Sequence, residues 1–295
     1  MTNQNKAYIL TVFVVLLWST IASAFKISLN YLNFLPLLLF ASAFSCVVLF
    51  IILLFQRKLY QLRQLKTKDI FHSSVLGFLN PFLYYLVLLK AYSILRAQEA
   101  GTLNYIWPII LVLLSIPILK QRINLKSIIA IVISFFGIIV ISTEGNIFSL
   151  QFREPLGVML AISSSIFWSL YWIFNLKDKR DEVLKLFLNF VFGTIYIFIT
   201  VLFFSDFNSI SIEGLAGALY IGLFEMGITF FLWLKALKLS ENTAKISNLI
   251  YISPFISLVF IHAVVGEKIL TATIIGLMFI ISGIVLQQFS RKGLN

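Results

Sequence analysis

"NYIWPIILVLLSIPILKQRINL", residues 104–125, lies over "IYISPFISLVFIHAVVGEKILT", residues 250–271. Tyr105 falls on Tyr251, Pro108 on Pro254 and Gln121 on Glu267, and the same shift of 146 residues places Gly137 on Gly283. Upstream, Lys90-Ala91 matches Lys235-Ala236 after one gap, and Trp18-Ser19 matches Trp168-Ser169. Self-similarity on this scale reads as one structural unit present twice. The expected units are residues 1–145 and 150–295.

Each unit is built from runs of membrane length. The chain has 295 residues, is 60% hydrophobic and 12% charged, and has a mean hydropathy of +0.99; a soluble domain carries about 25% charge. Apolar runs fall at 7–28, 34–55, 70–91, 97–119, 126–143, 156–175, 183–204, 213–235, 242–263 and 270–289. They do not alternate as barrel strands do, and lipid leaves backbone groups without partners, so the expectation is ten transmembrane helices. Five helices per unit is an odd number, so the second unit enters the membrane upside down. The chain is therefore expected to be all-α and integral to the membrane, with two inverted five-helix repeats.

Charge supports this count. On one side fall Lys6, Arg57, Lys58, Arg63, Lys66, Lys68, Lys120, Arg122, Lys126, Lys177, Lys179, Arg180, Lys185, Lys235, Lys238, Lys245, Arg291 and Lys292; the other side holds Lys26, Lys90, Arg96, Arg153 and Lys268. By the positive-inside rule both termini are cytoplasmic. The net charge of +11 is then loop charge, not a nucleic-acid footprint. Lys6, the first apolar run and Ala22-Ser23-Ala24 imitate a secretory signal, but the second copy of that run argues for a retained span. The single cysteine, Cys46, excludes an intrachain disulfide.

The two five-helix units, the Trp-Ser pair of the first helix and "SPFISLVFIHAVVGEKI" at 253–269 resemble the EamA domains of the drug/metabolite transporter superfamily. The resemblance covers nearly the whole chain. "LLWST" at 16–20, "EAGTLNYIWP" at 99–108 and "KQRIN" at 120–124 look closer still to YddG-type exporters of aromatic amino acids. The chain departs from the EamA pattern at Gln121, where many repeats carry the glutamate seen at 267, and at Ser42 and Ala43, where an arginine is common. The resemblance implies a multi-pass exporter in the bacterial cytoplasmic (inner) membrane. In YddG-like exporters a central cavity is lined by aromatics, which the resemblance implies for Tyr84, Trp107 and Trp168.

The residues themselves carry a parallel reading. Pro108 and Pro254 remove helical partners from the carbonyls of Asn104 and Ile250. Paired breaks at matching positions point to a binding site, though each alone is also an ordinary packing kink. Asn104 shares a helix face with Trp107 and either faces a wet cavity or joins two helices, a bond typically contributing about 0.6 kcal/mol. Tyr84, Tyr85, Trp107, Trp168 and Trp172 lie away from span ends; they form either a stacking box for a planar substrate or plain packing. Tyr251, beside Pro254, joins the substrate-binding set.

Glu225 lies near the middle of its span, where carboxylates are rare. It is a candidate proton carrier, or else a partner for a lysine or for free backbone N–H groups. Its counterpart in the first unit is Asn80. Glu99 is a second proton-coupling candidate, or a first-turn carboxylate favoured by the helix dipole; Lys26 and Lys90 near it are expected to snorkel outward. Ser19, Ser23, Ala161, Ser165 and Ser169 read as small packing residues. His72 and His262 fall near span ends, and no His, Cys and carboxylate spacing suits a metal. No Gly-rich phosphate loop or Walker lysine is present, so ATP is not the expected driver and no cofactor is expected. The reading is a secondary transporter of small molecules in a lipid bilayer, coupled through Glu225 to protons, with aromatic or other bulky apolar amino acids as favoured cargo. A purine, amine, sugar or lipid as cargo, or a non-transporting scaffold, are the alternatives.

Overall fold

The computed structural model describes residues 2–120, 125–148, 153–205, 210–240, 246 and 249–291. These residues are helical throughout, with no strand among them. Eight helices are long and apolar enough to cross a membrane: α1 Asn3–Ser28, α2 Phe34–Phe55, α3 Thr67–Ile94, α4 Ala97–Ile118, α5 Leu125–Ser142, α6 Pro155–Asn175, α7 Glu182–Phe204 and α8 Ile212–Leu239. Two shorter apolar helices follow, α9 Ile250–Val265 and α10 Thr271–Arg291. Gln121, whose neutral amide departs from the family pattern, lies outside the described residues, as do Arg122, Lys245 and Lys292.

The radial pattern inverts that of a soluble bundle. Large apolar side chains point outward, among them Phe13, Val47, Leu54, Val132 and Phe203. Small and weakly polar residues point inward: Ser19, Ala41, Ser42, Ser45, Ser165 and Ser169 are fully buried. This is what lipid demands, since tails solvate leucine and phenylalanine as well as a core does, while small residues let helices approach. Helix starts are set by capping side chains. Thr2 accepts from the Asn5 amide at 3.2 Å, Ser211 from Gly214 at 3.0 Å, and Asp181 from Val183 and Leu184 at 3.1 and 3.3 Å.

Packing interleaves residues from before and after position 150. Helix α1 lies against α8 and α9, α6 lies against α3 and α4, α2 against α7, and α5 against α10. The α5–α10 seam is close because of glycine. A Cβ on Gly137 would sit 2.5 Å from the Gly276 carbonyl oxygen, and one on Gly283 would sit 2.5 Å from that of Ala130. Across the same seam Gln287 donates to Ser127 at 3.1 Å.

Four helices are interrupted, and the interruptions position the site. In α3 the regular winding fails at Phe78–Leu83, where Asn80 is extended (φ −151°, ψ 119°) ahead of Pro81. In α8 it fails at Gly222–Gly227, the turn that carries Glu225. Helix α4 is two pieces, Ala97–Asn104 and Trp107–Leu119, joined through Tyr105 and Ile106; α9 has a tight turn at Ile250–Ile252 before Ser253–Phe260. Pro108 and Pro254 each stand in the first turn after a break, the position where proline's missing N–H costs least.

One side of the molecule is tied by an ionic cluster. Lys58 from the α2–α3 loop meets Asp181 at 2.5 Å, and Arg180 binds Asp178 at 2.6 Å while donating to Ser73 at 2.8 Å. Burial alone would push both aspartates up. The hydrogen bonds and charge of Arg180 on Asp178, and of Lys58 with the α7 amides on Asp181, outweigh it and hold both carboxyls below their ordinary value. On the opposite side, Lys26 does not snorkel as expected. It turns inward and donates to the carbonyls of Leu95 and Tyr92 at 2.6 and 3.0 Å, because the exposed carbonyls at the end of α3 need donors. Lys90 lies over the Phe34 ring, 5.0 Å from its centroid.

Candidate functional site

The breaks in α4 and α9 face one cavity of about 110 Å³. It is bounded by α1, α3, α4, α6, α8 and α9. The site residues named from the sequence lie on all of these except α1, which contributes Trp18 and Phe25. Of the residues singled out from the sequence, Tyr84, Asn104, Trp107, Trp168, Glu225 and Pro254 line it. Trp172, Tyr251, Pro108 and Glu99 do not.

Trp172 stands just behind the wall, edge-on to Trp168 at 5.7 Å. Tyr251 is partly buried and packs against the same apolar core. Glu99 is in the first turn of α4, where it accepts from the Arg96 amide at 3.2 Å and lies 3.9 Å from that guanidinium. Arg96 in turn reaches Glu144 at 3.2 Å. Glu99 thus caps a helix and joins a charge cluster on one face, away from the cavity.

The aromatic walls are continuous. Tyr84 and Trp168 overlap at 4.6 Å with 31° between planes, Trp168 meets Phe230 at 5.6 Å, and Phe230 meets Trp18 at 6.5 Å. Phe25 and Tyr92 close the other end at 5.2 Å. Trp107 is only half-buried and keeps a free face. Such offset and edge contacts each contribute about 0.5–1.5 kcal/mol beyond burial, so the walls are held in place before any ligand arrives.

The polar groups are few and mostly committed. Asn104 donates to Ser164 at 2.9 Å and accepts from Tyr84 at 3.3 Å, so it both joins helices and faces the cavity. The carbonyls freed by the two prolines are expected from the sequence to offer themselves to a ligand; the structure gives each a protein donor. The Asn104 carbonyl accepts from Ser165 at 2.9 Å, and the Ile250 carbonyl accepts from Tyr105 at 3.2 Å. The physical reason is that a backbone acceptor at membrane depth must find a partner.

The serines of the two Trp-Ser pairs have a role that a packing reading misses. Ser169 on α6 donates to the Trp107 carbonyl at 3.0 Å. Ser19 on α1 lies 3.1 Å from both the carbonyl and the hydroxyl of Ser253. Trp107 and Ser253 occupy matching positions in the two quoted stretches, so each break is pinned by the matching serine from the other half of the chain. The repetition of Trp-Ser is the sequence signal for this.

Gln98 is a second residue that sequence reasoning passed over. Its side-chain carbonyl accepts from Thr273 and from the Leu270 amide, both at 2.9 Å, and its amide donates to the Lys268 carbonyl at 3.0 Å. Glu267 caps the same end of α4, accepting from the Ala97 amide at 2.8 Å. The α9–α10 connection therefore seals one end of the cavity against the start of α4.

Glu225 is the acidic residue of the cavity lining. Tyr85 donates to its Oε1 at 2.9 Å. The partner is thus a phenol, neither the lysine nor the backbone amides considered from sequence. Its Oε2 is buried without a hydrogen-bond partner, and none of the ion pairs among the described residues includes it.

A model of the EamA-like transporter family matches residues 5–143 and again 155–287. The chain belongs to the EamA-like transporter family. An uncharacterized transporter of Clostridium kluyveri is 26% identical over 186 residues, 60% of this chain and 59% of that one, so the match spans less than two thirds of that relative. The uncharacterized transporter YvbV of Bacillus subtilis is 22% identical over 98% of this chain and 93% of its own. A solved crystal structure with 18% identity superposes over 98% of this chain and 99% of its own with a TM-score of 0.67, which shows a shared fold. This EamA-like protein is a multi-pass membrane transporter, and its family implies a small-molecule substrate and a lipid bilayer as surroundings.

Proposed function

We propose that the protein is an exporter of small amphipathic metabolites, of which aromatic and other bulky apolar amino acids come first. Ten spans in two inverted five-helix repeats, with both termini cytoplasmic in a bacterial inner membrane, would rock around the central cavity. The observation that carries this reading is the cavity itself, walled by Tyr84, Trp107 and Trp168 and set between two broken helices from opposite halves of the chain. Inverted repeats with broken helices at their interface are the architecture of alternating access.

Volume supports motion. Pockets for metabolite-sized ligands run to about 300–1,000 Å³, whereas this cavity holds about 110 Å³. A ring-bearing substrate fits only if α4 and α9 separate from the helices that pin them. The cavity is then a closed form of the site, opened alternately at the Gln98–Glu267 end and at the Lys58–Asp181 end. Glu225 is the group on which a coupling proton would be carried.

Counterflow into proteoliposomes tests the reading. A panel of labelled phenylalanine, tryptophan, leucine, a purine and a sugar is offered, with Trp107→Ala as control. Uptake of the aromatic and bulky apolar members, lost in Trp107→Ala, is the expected result. Full transport by that variant would remove the aromatic box, and pH-dependent transport that survives Glu225→Gln would remove the coupling role.

A further inference from the structure

The charged end of the ligand can be read from what the cavity offers it. Among the described residues the lining contains a carboxylate, Glu225, and neither lysine nor arginine. Two cations stand next in sequence to lining residues: Lys26 is held by the Leu95 and Tyr92 carbonyls, and Arg96 is paired with Glu99 and Glu144 at 3.9 and 3.2 Å. At the α4 break the amides of Tyr105, Ile106, Ile109 and Ile110 donate within their own turns. A ligand carboxylate therefore meets no free donor of full charge here, and it would face the like charge of Glu225.

A ligand cation meets the opposite situation. Glu225 is 8% exposed, its Oε2 has no hydrogen-bond partner, and it lies in the cavity wall. Tyr85 fixes the other oxygen at 2.9 Å and so orients the group. Rings line the same cavity: Tyr84 meets Tyr85 edge-on at 4.6 Å and lies tilted against Trp168 at 4.6 Å. A buried carboxylate without a counter-charge, framed by π faces, is the chemistry that recognises an organic ammonium.

We infer that Glu225 and the surrounding rings form a site for a monocationic amine with an aromatic or bulky apolar body, in preference to the zwitterionic amino acid of the same skeleton. This rests on the transport reading above: it keeps a small amphipathic cargo with an aromatic or bulky apolar body and puts the amine ahead of the amino acid of the same skeleton. The ammonium donates to Glu225 Oε2, and the apolar body lies against Trp107 and Trp168. A proton and an ammonium compete for the same oxygen, which accommodates the coupling role proposed for Glu225.

The test is a charge series on one skeleton. Full-length protein purified in detergent is titrated with 2-phenylethylamine, phenylalanine and 3-phenylpropionate, read by intrinsic tryptophan fluorescence and by thermal shift. Wild type should bind phenylethylamine at least tenfold tighter than phenylalanine and should bind 3-phenylpropionate weakest. Glu225→Gln should weaken phenylethylamine at least tenfold, and Glu225→Asp should recover part of that loss. If phenylalanine or 3-phenylpropionate binds as tightly as the amine, or if Glu225→Gln leaves amine affinity unchanged, the charge assignment is overturned while an aromatic cargo stands. If folded wild type binds none of the three, both readings fail. Should Glu225→Gln not fold, the wild-type series decides the question by itself.

Discussion

Ser169→Ala and Ser19→Ala test whether the helix breaks are pinned across the two halves. The change removes an oxygen and little volume, so packing is nearly conserved. Ser169 makes one such bond, to the Trp107 carbonyl at 3.0 Å. Interhelical hydrogen bonds in membranes average about 0.6 kcal/mol and reach about 1.7. The Trp107 carbonyl opens the helical piece Trp107–Leu119 and keeps the Leu111 N–H as a helical partner, which places Ser169 near the average, about 0.6 kcal/mol.

Ser19 has more neighbours but only one hydroxyl hydrogen. It donates either to the Val15 carbonyl at 2.6 Å or to the Ser253 carbonyl at 3.1 Å, and it shares a further contact with the Ser253 hydroxyl. Val15 lies inside α1 and Ser253 opens the helical piece Ser253–Phe260, so each keeps a helical donor and the loss is again about 0.6 kcal/mol. Equilibrium unfolding of the purified protein in mixed SDS micelles reads both values. The double variant should lose the sum to within about 0.5 kcal/mol, because the two bonds share no partner. If each single variant stays within about 0.2 kcal/mol of wild type, both serines are spacers and the pinning argument is wrong, since an average interhelical bond is about three times that size.

Three further outcomes follow from the same geometry. Trp168→Ala should destabilise by about 3–5 kcal/mol, as truncation of a large buried aromatic does, because Trp168 is 7% exposed and touches four rings; half-buried Trp107 should cost far less on truncation, and comparison of the two variants by thermal shift separates wall from ligand face. Gly137→Ala gains up to about 1 kcal/mol of helix propensity but places a Cβ 2.5 Å from the Gly276 carbonyl oxygen; overpacking of about 1–3 kcal/mol should win, and a rise in melting temperature would contradict the close α5–α10 seam. Asp178 and Asp181 have depressed folded pKa values, so their contribution to stability is present above the unfolded value of about 3.9 and is lost as pH falls through the folded values; melting temperature should drop below about pH 4 in wild type and drop less in Asp181→Asn, which at neutral pH has already lost its pairing with Lys58.

Much of the scaffold was legible because lipid imposes simple rules. Apolar runs at 183–204 and 156–175 became Glu182–Phe204 and Pro155–Asn175, since span length is fixed by bilayer thickness and helix rise. Pro108 and Pro254 marked the breaks because the loss of an N–H is a local fact. The partners of those breaks were not legible. The bonds from Tyr105 to Ile250 and from Ser165 to Asn104 join residues 145 and 61 apart in sequence, and only the packed helices decide which hydroxyl arrives. Trp18 was read as half of a matching pair and not as a lining residue, for another reason: it is one of 46 aromatic residues counting Phe, Tyr and Trp, so its type says nothing until its neighbours are known. Glu99 drew attention by its charge and Gln98 was passed over, yet it is the neutral Gln98 that lines the cavity while Glu99 turns away to Arg96.

The differences between matching positions carry as much information as the match. A site built from two identical halves would present the same groups twice and would leave an asymmetric ligand two equivalent orientations. Here Asn104 and Trp107 stand opposite Ile250 and Ser253, and buried Asn80 is matched by Glu225. The α4 break therefore offers an amide and an indole, whereas the α9 break is slim: Ile250 and Ser253 add little bulk, and Ser253 is taken up with Ser19. The charge comes from α8, and its orienting donor, Tyr85, comes from α3. One half of the chain thus supplies the carboxylate and the other half the phenol that aims it. Any motion that separates the halves lengthens the Tyr85–Glu225 bond and changes the charge environment of the ligand at the same moment. On the proposed transport reading, ligand orientation and the opening of the cavity would be coupled through that contact, which a symmetric pair of side chains would not provide.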